Sequence, residues 1–145
     1  MTNFRKDNTA DNIPLADVLI IGGGPAGMSA ALWCSDFGRA TLIERSGELG
    51  GQLLWIHNPI TNYPGIETKN GRELRNRFAA SIAGQDFFKS VDEEIVEIDC
   101  LQKSARGASG KNYSAKSLIV ATGVRRRTLG IPGEIEFRGR GILES

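Results

Sequence analysis

One stretch restricts the fold more than any other: the short apolar run DVLII, Asp17 to Ile21, followed at once by Gly22-Gly23-Gly24-Pro25-Ala26-Gly27. An apolar run without alternation fits a parallel strand buried on both faces. Pro25 suits a first helical turn, where its missing N–H costs nothing. The residues from Ala26 to Phe37 then read as a helix rich in small side chains, ended by Gly38. Ala40 to Glu44 reads as a second strand, closing on an acid. A strand, a glycine corner, a helix and a second strand form a βαβ unit, so the fold class is α/β with a parallel sheet.

Each glycine of the corner has a separate physical task. Gly22 permits the tight turn out of the strand. Gly24 carries no side chain, so a pyrophosphate can approach the main chain. Gly27 lets the helix pack close to the sheet. Pro25 and Ala26 open the helix, whose N-terminus offers unpaired N–H donors and a partial positive charge to phosphates. Glu44 is placed to accept hydrogen bonds from a ribose diol. Its charge would repel a 2′-phosphate, so NADP is not expected at this corner. The motif alone serves FAD or NAD equally.

The remaining chain divides less sharply. Met1 to Ala16 is polar and reads as a mobile leader. Ser46 to Gly65 reads as a long loop with few helix signals, a length that is usually functional. Asn70-Gly71 precedes a charged helix over about Arg72 to Ala83, with Leu74, Phe78 and Ile82 on one face. Asp86 to Phe88 suggests a short strand, and Val91 to Cys100 a half-exposed one. Ser104 to Gly110 reads as turn, Tyr113 to Lys116 as a further strand, and Ser117 to Ala121 as a buried strand running into Thr122-Gly123.

Composition narrows the function classes. The formal net charge is +1 over 145 residues, which argues against nucleic acid and anionic membrane as partners. No apolar run approaches a membrane span and no signal pattern opens the chain. Cys34 and Cys100 have no metal or C-x-x-C spacing and read as small buried or half-buried residues, so no metal site is expected. Together these favour the cytoplasm. His57, the single histidine, reads as a solvated loop residue, and Trp55 as packed beneath the long loop. Arg125, Arg126, Arg127, Arg138 and Arg140 read as a solvated basic face, with docking of an acidic partner as the alternative.

Four motifs in order, Gly22 to Gly27, Gly50-Gly51-Gln52-Leu53, Asn62-Tyr63-Pro64-Gly65 and Ala121-Thr122-Gly123, resemble the low-molecular-weight thioredoxin reductases of the pyridine nucleotide–disulfide oxidoreductase group. The stretch Leu129-Gly130-Ile131-Pro132-Gly133-Glu134, with Phe137, Gly139, Arg140 and Gly141, extends the likeness to about Ile142. The resemblance implies a Rossmann-like FAD-binding domain: a parallel sheet with helices and a small antiparallel β-meander. It implies FAD contacts from Gly22, Gly24, Pro25, Ala26, Gly27, Glu44, Arg45, Gly51, Gln52, Leu53, Asn62, Ala121, Thr122 and Gly123. It also implies an adenine contact from main chain near Ile95, and no catalytic residue. The expected organisation is a leader over 1–16, the first FAD segment over 17–124 and a connector over 125–145.

The family architecture has further parts that these residues do not match. No second glycine fingerprint occurs, so NAD(P)H is expected to bind through elements outside this chain. Ser145 falls near the place of the first cysteine of the family's C-x-x-C. The expectation is therefore an incomplete FAD domain from a longer polypeptide. The activity implied is electron transfer from NAD(P)H through FAD to a redox protein, small disulfide or other acceptor, by a homodimer. Two other functions stay open: a non-catalytic flavin- or nucleotide-binding module, and an NAD-binding dehydrogenase domain.

Overall fold

The computed structural model describes residues 16–37, 40–44, 48–83, 85, 88–125, 127–138 and 140–141, with the main chain alone for 16, 40–44 and 88–90. Strand β1 (Ala16–Ile21) leads into helix α1 (Pro25–Phe37) and strand β2 (Ala40–Glu44). A 3₁₀ turn (Gly51–Trp55) and a hairpin of β3 (Ile60–Tyr63) and β4 (Ile66–Thr68) follow. Helix α2 (Gly71–Ile82) then precedes β5 (Phe88–Asp92), β6 (Ile95–Asp99), β7 (Ser104–Gly107) and β8 (Asn112–Val120).

The main sheet has the order β5-β2-β1-β8-β7-β6. Its first four strands are parallel; β8, β7 and β6 form an antiparallel meander. Strand β8 serves both parts, pairing through Ser114 with β7 and from Ala115 with β1. The parallel sheet with helices and the small meander expected from sequence are both present.

The central strand explains why its sequence does not alternate. Ile20 packs with Met28 and Ala31 of α1, Leu53, and Leu74 and Ile82 of α2. Its neighbours Leu19 and Ile21 pack on the other side with Ala105, Tyr113 and Ala115 of the meander. Helices therefore cover one face of β1 and strands the other, and both faces need apolar residues. Each such fully buried aliphatic side chain contributes about 1.5–3 kcal/mol.

Helix α2 starts where its capping chemistry dictates. The Asn70 side chain accepts a hydrogen bond from the Glu73 N–H at 2.9 Å, and Glu73 reaches back to accept from the Lys69 N–H at 2.9 Å. This is a variant of the capping box, with the returning bond made to the residue before the N-cap. Phe78 packs against the helix-side core beside buried Leu74 and Ile82, as the periodicity predicts. Its ring also meets Tyr63 edge-on at 5.7 Å, tying the hairpin to the helix.

Several expectations are corrected. The long loop contains the 3₁₀ turn and β3. The strand expected over Val91 to Cys100 is broken at Glu93-Glu94 into β5 and β6. The turn expected over Ser104 to Gly110 begins with β7, and the two strands expected between Tyr113 and Ala121 are one. The expected leader, apart from Ala16, lies outside the described residues, as does Gly38.

Candidate functional site

The parallel strands β1, β2, β5 and β8 end at one edge, with Ile21 beside both Ile43 and Val120, and Glu44 beside Asp92. From β1 the chain continues on one side to β2, while β8 lies on the other. Such a point, outside the carboxyl ends of parallel strands, opens the crevice where ligands bind in α/β sheets. Three segments meet there: the corner Gly22 to Gly27, the loop Gly50-Gly51, and the exit Ala121 to Val124.

Main-chain hydrogen bonds join them. The Ala121 N–H donates to the Ile21 carbonyl at 2.8 Å, and the Gly50 N–H to the Gly23 carbonyl at 2.8 Å. The Gln52 carboxamide donates to the Val124 carbonyl at 2.9 Å, linking the second segment to the third.

The three glycines of the corner differ in what surrounds them. A Cβ on Gly22 would lie 2.3 Å from the Ala121 carbonyl oxygen, and its φ of +108° already disfavours a side chain. A Cβ on Gly27 would lie 1.8 Å from the Gly22 carbonyl oxygen. Both are glycine because the chain itself fills the space. Gly24 is different. Among the described residues, a Cβ there would meet only the Gly51 Cα, at the ordinary distance of 4.0 Å. Across that opening, Gly51 has a φ of +52°, and a Cβ on it would lie 3.0 Å from the Gly24 Cα. Two bare main-chain segments thus face each other beside the start of α1.

That helix start is suited to an anion. The Gly24 carbonyl accepts the Met28 N–H at 2.9 Å, making Gly24 the capping residue, and it has no side chain to occupy the donors that follow. The first turn holds no acidic residue. Its N–H groups have no partners within the helix, and the helix dipole adds partial positive charge.

The other expected residues are distributed as follows. Pro25 and Ala26 form the first turn of α1. Thr122 and Gly123 are exposed on the exit from β8. Glu44 ends β2 at the same sheet edge. Leu53 has its side chain buried in the core, beneath the loop, which leaves its main chain as the part that could meet a ligand. Asn62 is exposed on β3, in the separate hairpin. Ile95 starts β6, two strands beyond β8, with its side chain against the meander-side core. Arg45 lies outside the described residues.

Trp55 is also corrected. It is 79% exposed, because the 3₁₀ turn directs Leu53 inward and leaves Trp55 at the turn's outer end. Cys100 is exposed at the end of β6 and so is not a packing residue, whereas Cys34 is half-buried, and that burial pushes its thiol pKa up. His57, Arg125, Arg127, Arg138 and Arg140 are exposed; Arg126 is outside the described residues. The segment after β8 is pinned by Glu134. Its carboxylate accepts from the Leu129 and Gly130 N–H groups at 2.8 and 2.7 Å, and these hold it below the usual carboxylate range. Among the described residues no acidic, histidine or cysteine cluster could hold a metal ion, and no helix is long and apolar enough to cross a membrane.

Residues that position the Gly50-Gly51 loop are not evident from the sequence. A Cβ on Gly71 would lie 2.1 Å from the Leu53 carbonyl oxygen, so α2 presses on the 3₁₀ turn without any spacer. Arg75 donates from Nε to the Leu49 carbonyl at 2.7 Å. The only sequence sign is Asn70-Gly71 as a helix start.

Residues 16–145 match the family described as pyridine nucleotide-disulphide oxidoreductase. The chain belongs to this family. It is 38% identical over 128 residues to thioredoxin reductase of Bacillus subtilis, a match covering 87% of this chain and 40% of that protein. It is 37% identical over 135 residues to thioredoxin reductase of Treponema pallidum, covering 87% of this chain and 41% of that one. The crystal structure of Lactococcus lactis thioredoxin reductase superposes with a TM-score of 0.72 at 36% identity, over 84% of this chain and 40% of that chain. The resemblance to thioredoxin reductases carried by the glycine motifs is borne out. The chain spans about 40% of the length of the thioredoxin reductases it matches.

Proposed function

We propose that this chain is the first FAD-binding segment of an oxidoreductase that passes electrons from NAD(P)H to a disulfide or other acceptor. The observation that carries the reading is Gly24. Among the described residues, only the Gly51 Cα comes within 4 Å of a Cβ placed on it, so it faces a second bare segment at a helix N-terminus on the carboxyl edge of the parallel sheet. A diphosphate fits there: it needs close main-chain approach, N–H donors and positive potential, and all three coincide.

On this reading Ala26 and Gly27 donate main-chain N–H groups to the diphosphate, and Glu44 accepts from the adenosine ribose. Gly51 and Gln52 border the flavin and ribityl chain, with Ala121, Thr122 and Gly123 passing main chain beside them. Asn62 reaches the flavin side, and the adenine meets main chain near Ile95. The bound flavin supplies the two-electron chemistry, and this chain's residues bind and orient it. Residues 17–124 are the binding segment and 125–145 the connector. The nicotinamide site belongs to other parts of a longer, homodimeric polypeptide acting in the cytoplasm. The free thiols Cys34 and Cys100 suit that compartment.

The test is the visible absorption spectrum of the purified complete polypeptide, with the released chromophore identified by mass. A yellow protein releasing FAD agrees with the reading. A colourless protein that takes up NAD and no flavin overturns it.

A further inference from the structure

Arg75 stands on α2, outside every segment so far assigned to the cofactor, yet it grips the loop that forms one wall of the slot. Its Nε donates to the Leu49 carbonyl at 2.7 Å. Its Nη2 lies 3.6 Å from the Glu48 carboxylate, which also pairs with Arg72 at 3.2 Å. Its aliphatic stem packs on Gly50: a Cβ there would lie 2.8 Å from the Arg75 Cγ. Arg75 is also the better buried of the two arginines, its side chain 25% exposed against 60% for Arg72. Gly50 in turn donates to the Gly23 carbonyl at 2.8 Å, and Gly51 faces Gly24. An unbroken set of contacts therefore runs from the guanidinium to the opening beside Gly24.

We infer that Arg75 is a positioning residue of the dinucleotide slot, holding Leu49-Gly50-Gly51 at the spacing from Gly24 that a diphosphate and flavin require; this rests on the flavin reading above. Gly50 and Gly51 have φ values of +135° and +52°, so the loop is held in a conformation open to glycine and accessible to many alternatives. A main-chain wall with that freedom needs an external anchor. A hydrogen bond from a charged guanidinium to a carbonyl is such an anchor, and its other nitrogens meet the Glu48 carboxylate and the Asn76 Oδ1, which accepts from Nη1 at 3.0 Å. The exposed Arg72–Glu48 pair adds little on its own.

The experiment compares Arg75→Met, which keeps the stem and removes the guanidinium, with Arg77→Met as control. Arg77 is exposed and pairs with Glu73 on the same helix at 3.0 Å. FAD affinity of the complete polypeptide is read by flavin fluorescence titration, and amide exchange over 49–53 is read without ligand. Arg75→Met is expected to raise the Kd for FAD about tenfold, the effect of one lost hydrogen bond to a charged group. It should also speed exchange over 49–53, while Arg77→Met changes neither. Unchanged affinity and exchange in Arg75→Met, with FAD bound normally by the unaltered protein, would overturn this inference alone. Failure of the unaltered protein to bind FAD would overturn the flavin reading, while exchange in the apo protein still reports on the anchor.

Discussion

Alanine at Gly22, Gly24 and Gly27 should give three distinguishable proteins, because the three glycines are bare for different reasons. At Gly27 the new Cβ would stand 1.8 Å from the Gly22 carbonyl oxygen. Real contacts of that kind do not fall below about 3 Å, so helix and strand corner must separate by roughly 1 Å or more in a close-packed region. Overpacking of this sort costs about 1–3 kcal/mol, and melting falls by about 2–4 °C per kcal/mol in a chain of this size. At Gly22 a similar clash adds to the cost of positive φ, about 1–2 kcal/mol. At Gly24 the methyl meets Gly51 at the ordinary distance of 4.0 Å. The stability cost is about 1 kcal/mol at most, that of replacing glycine by alanine at a helix cap. The loss appears on binding, because the methyl stands where the diphosphate would approach. A comparable overpacking penalty of about 1–3 kcal/mol means a Kd for FAD raised roughly five- to 150-fold. Thermal melts of the apo proteins and flavin titration of the folded variants separate the cases. A Gly24→Ala protein that binds FAD as tightly as the parent, or that melts as low as Gly27→Ala, would refute the reasoning.

Other outcomes follow from single contacts. Gly24→Val, with a branched side chain in the same opening, is expected to abolish FAD binding; flavin still released from the purified variant on denaturation would contradict this. Glu44→Ala should weaken FAD binding by about 1–3 kcal/mol, and isothermal titration showing no change would remove Glu44 from the site. Asn70→Ala removes the acceptor for the Glu73 N–H and should cost about 1 kcal/mol, measured by denaturant unfolding. Glu93 accepts hydrogen bonds from the Ser109 hydroxyl and N–H and from the Tyr113 hydroxyl, which hold its pKa below the usual carboxylate range. A depressed carboxylate stabilises the fold above its ordinary pKa of about 4.3 and loses that effect as pH falls through the folded value. The stability gap between the parent protein and Glu93→Gln should therefore be present at neutral pH and close on acidification. A gap that widens toward acid would reverse the assignment.

The parts of the fold that were legible are those set by strong local chemistry. The run Asp17 to Ile21, the glycine corner and the α1 pattern define the βαβ unit to within a residue. The Leu74, Phe78 and Ile82 spacing marks the buried face of α2. Strand β7 was illegible because its four residues, Ser104 to Gly107, include a serine and a glycine and follow a turn with Lys103 at a φ of 52°; pairing with β6 and β8 makes it a strand, not its composition. The break between β5 and β6 was hidden by the partial alternation of Val91 to Cys100. The Glu94 carbonyl accepts from the Ala108 N–H, and Glu93 binds Ser109, contacts from 14 to 16 residues away that no local pattern encodes.

The site divides in the same way. The glycine corner, Gly51 and Ala121 were legible because a main chain that must approach something closely requires small residues. The roles of Gly71 and Arg75 were not, since each acts on a segment about twenty residues earlier in sequence. Trp55, expected beneath the loop, lies outside because a five-residue 3₁₀ turn puts Leu53 into the core in its place. Glycines and prolines around the turn had masked it.

The most direct test is a crystal structure of the complete polypeptide carrying its own cofactor. The account predicts the FAD diphosphate beside the Gly24 Cα, within hydrogen-bonding distance of the first N–H groups of α1, with Gly51 across the slot. A structure with that opening empty and the dinucleotide bound elsewhere would contradict it.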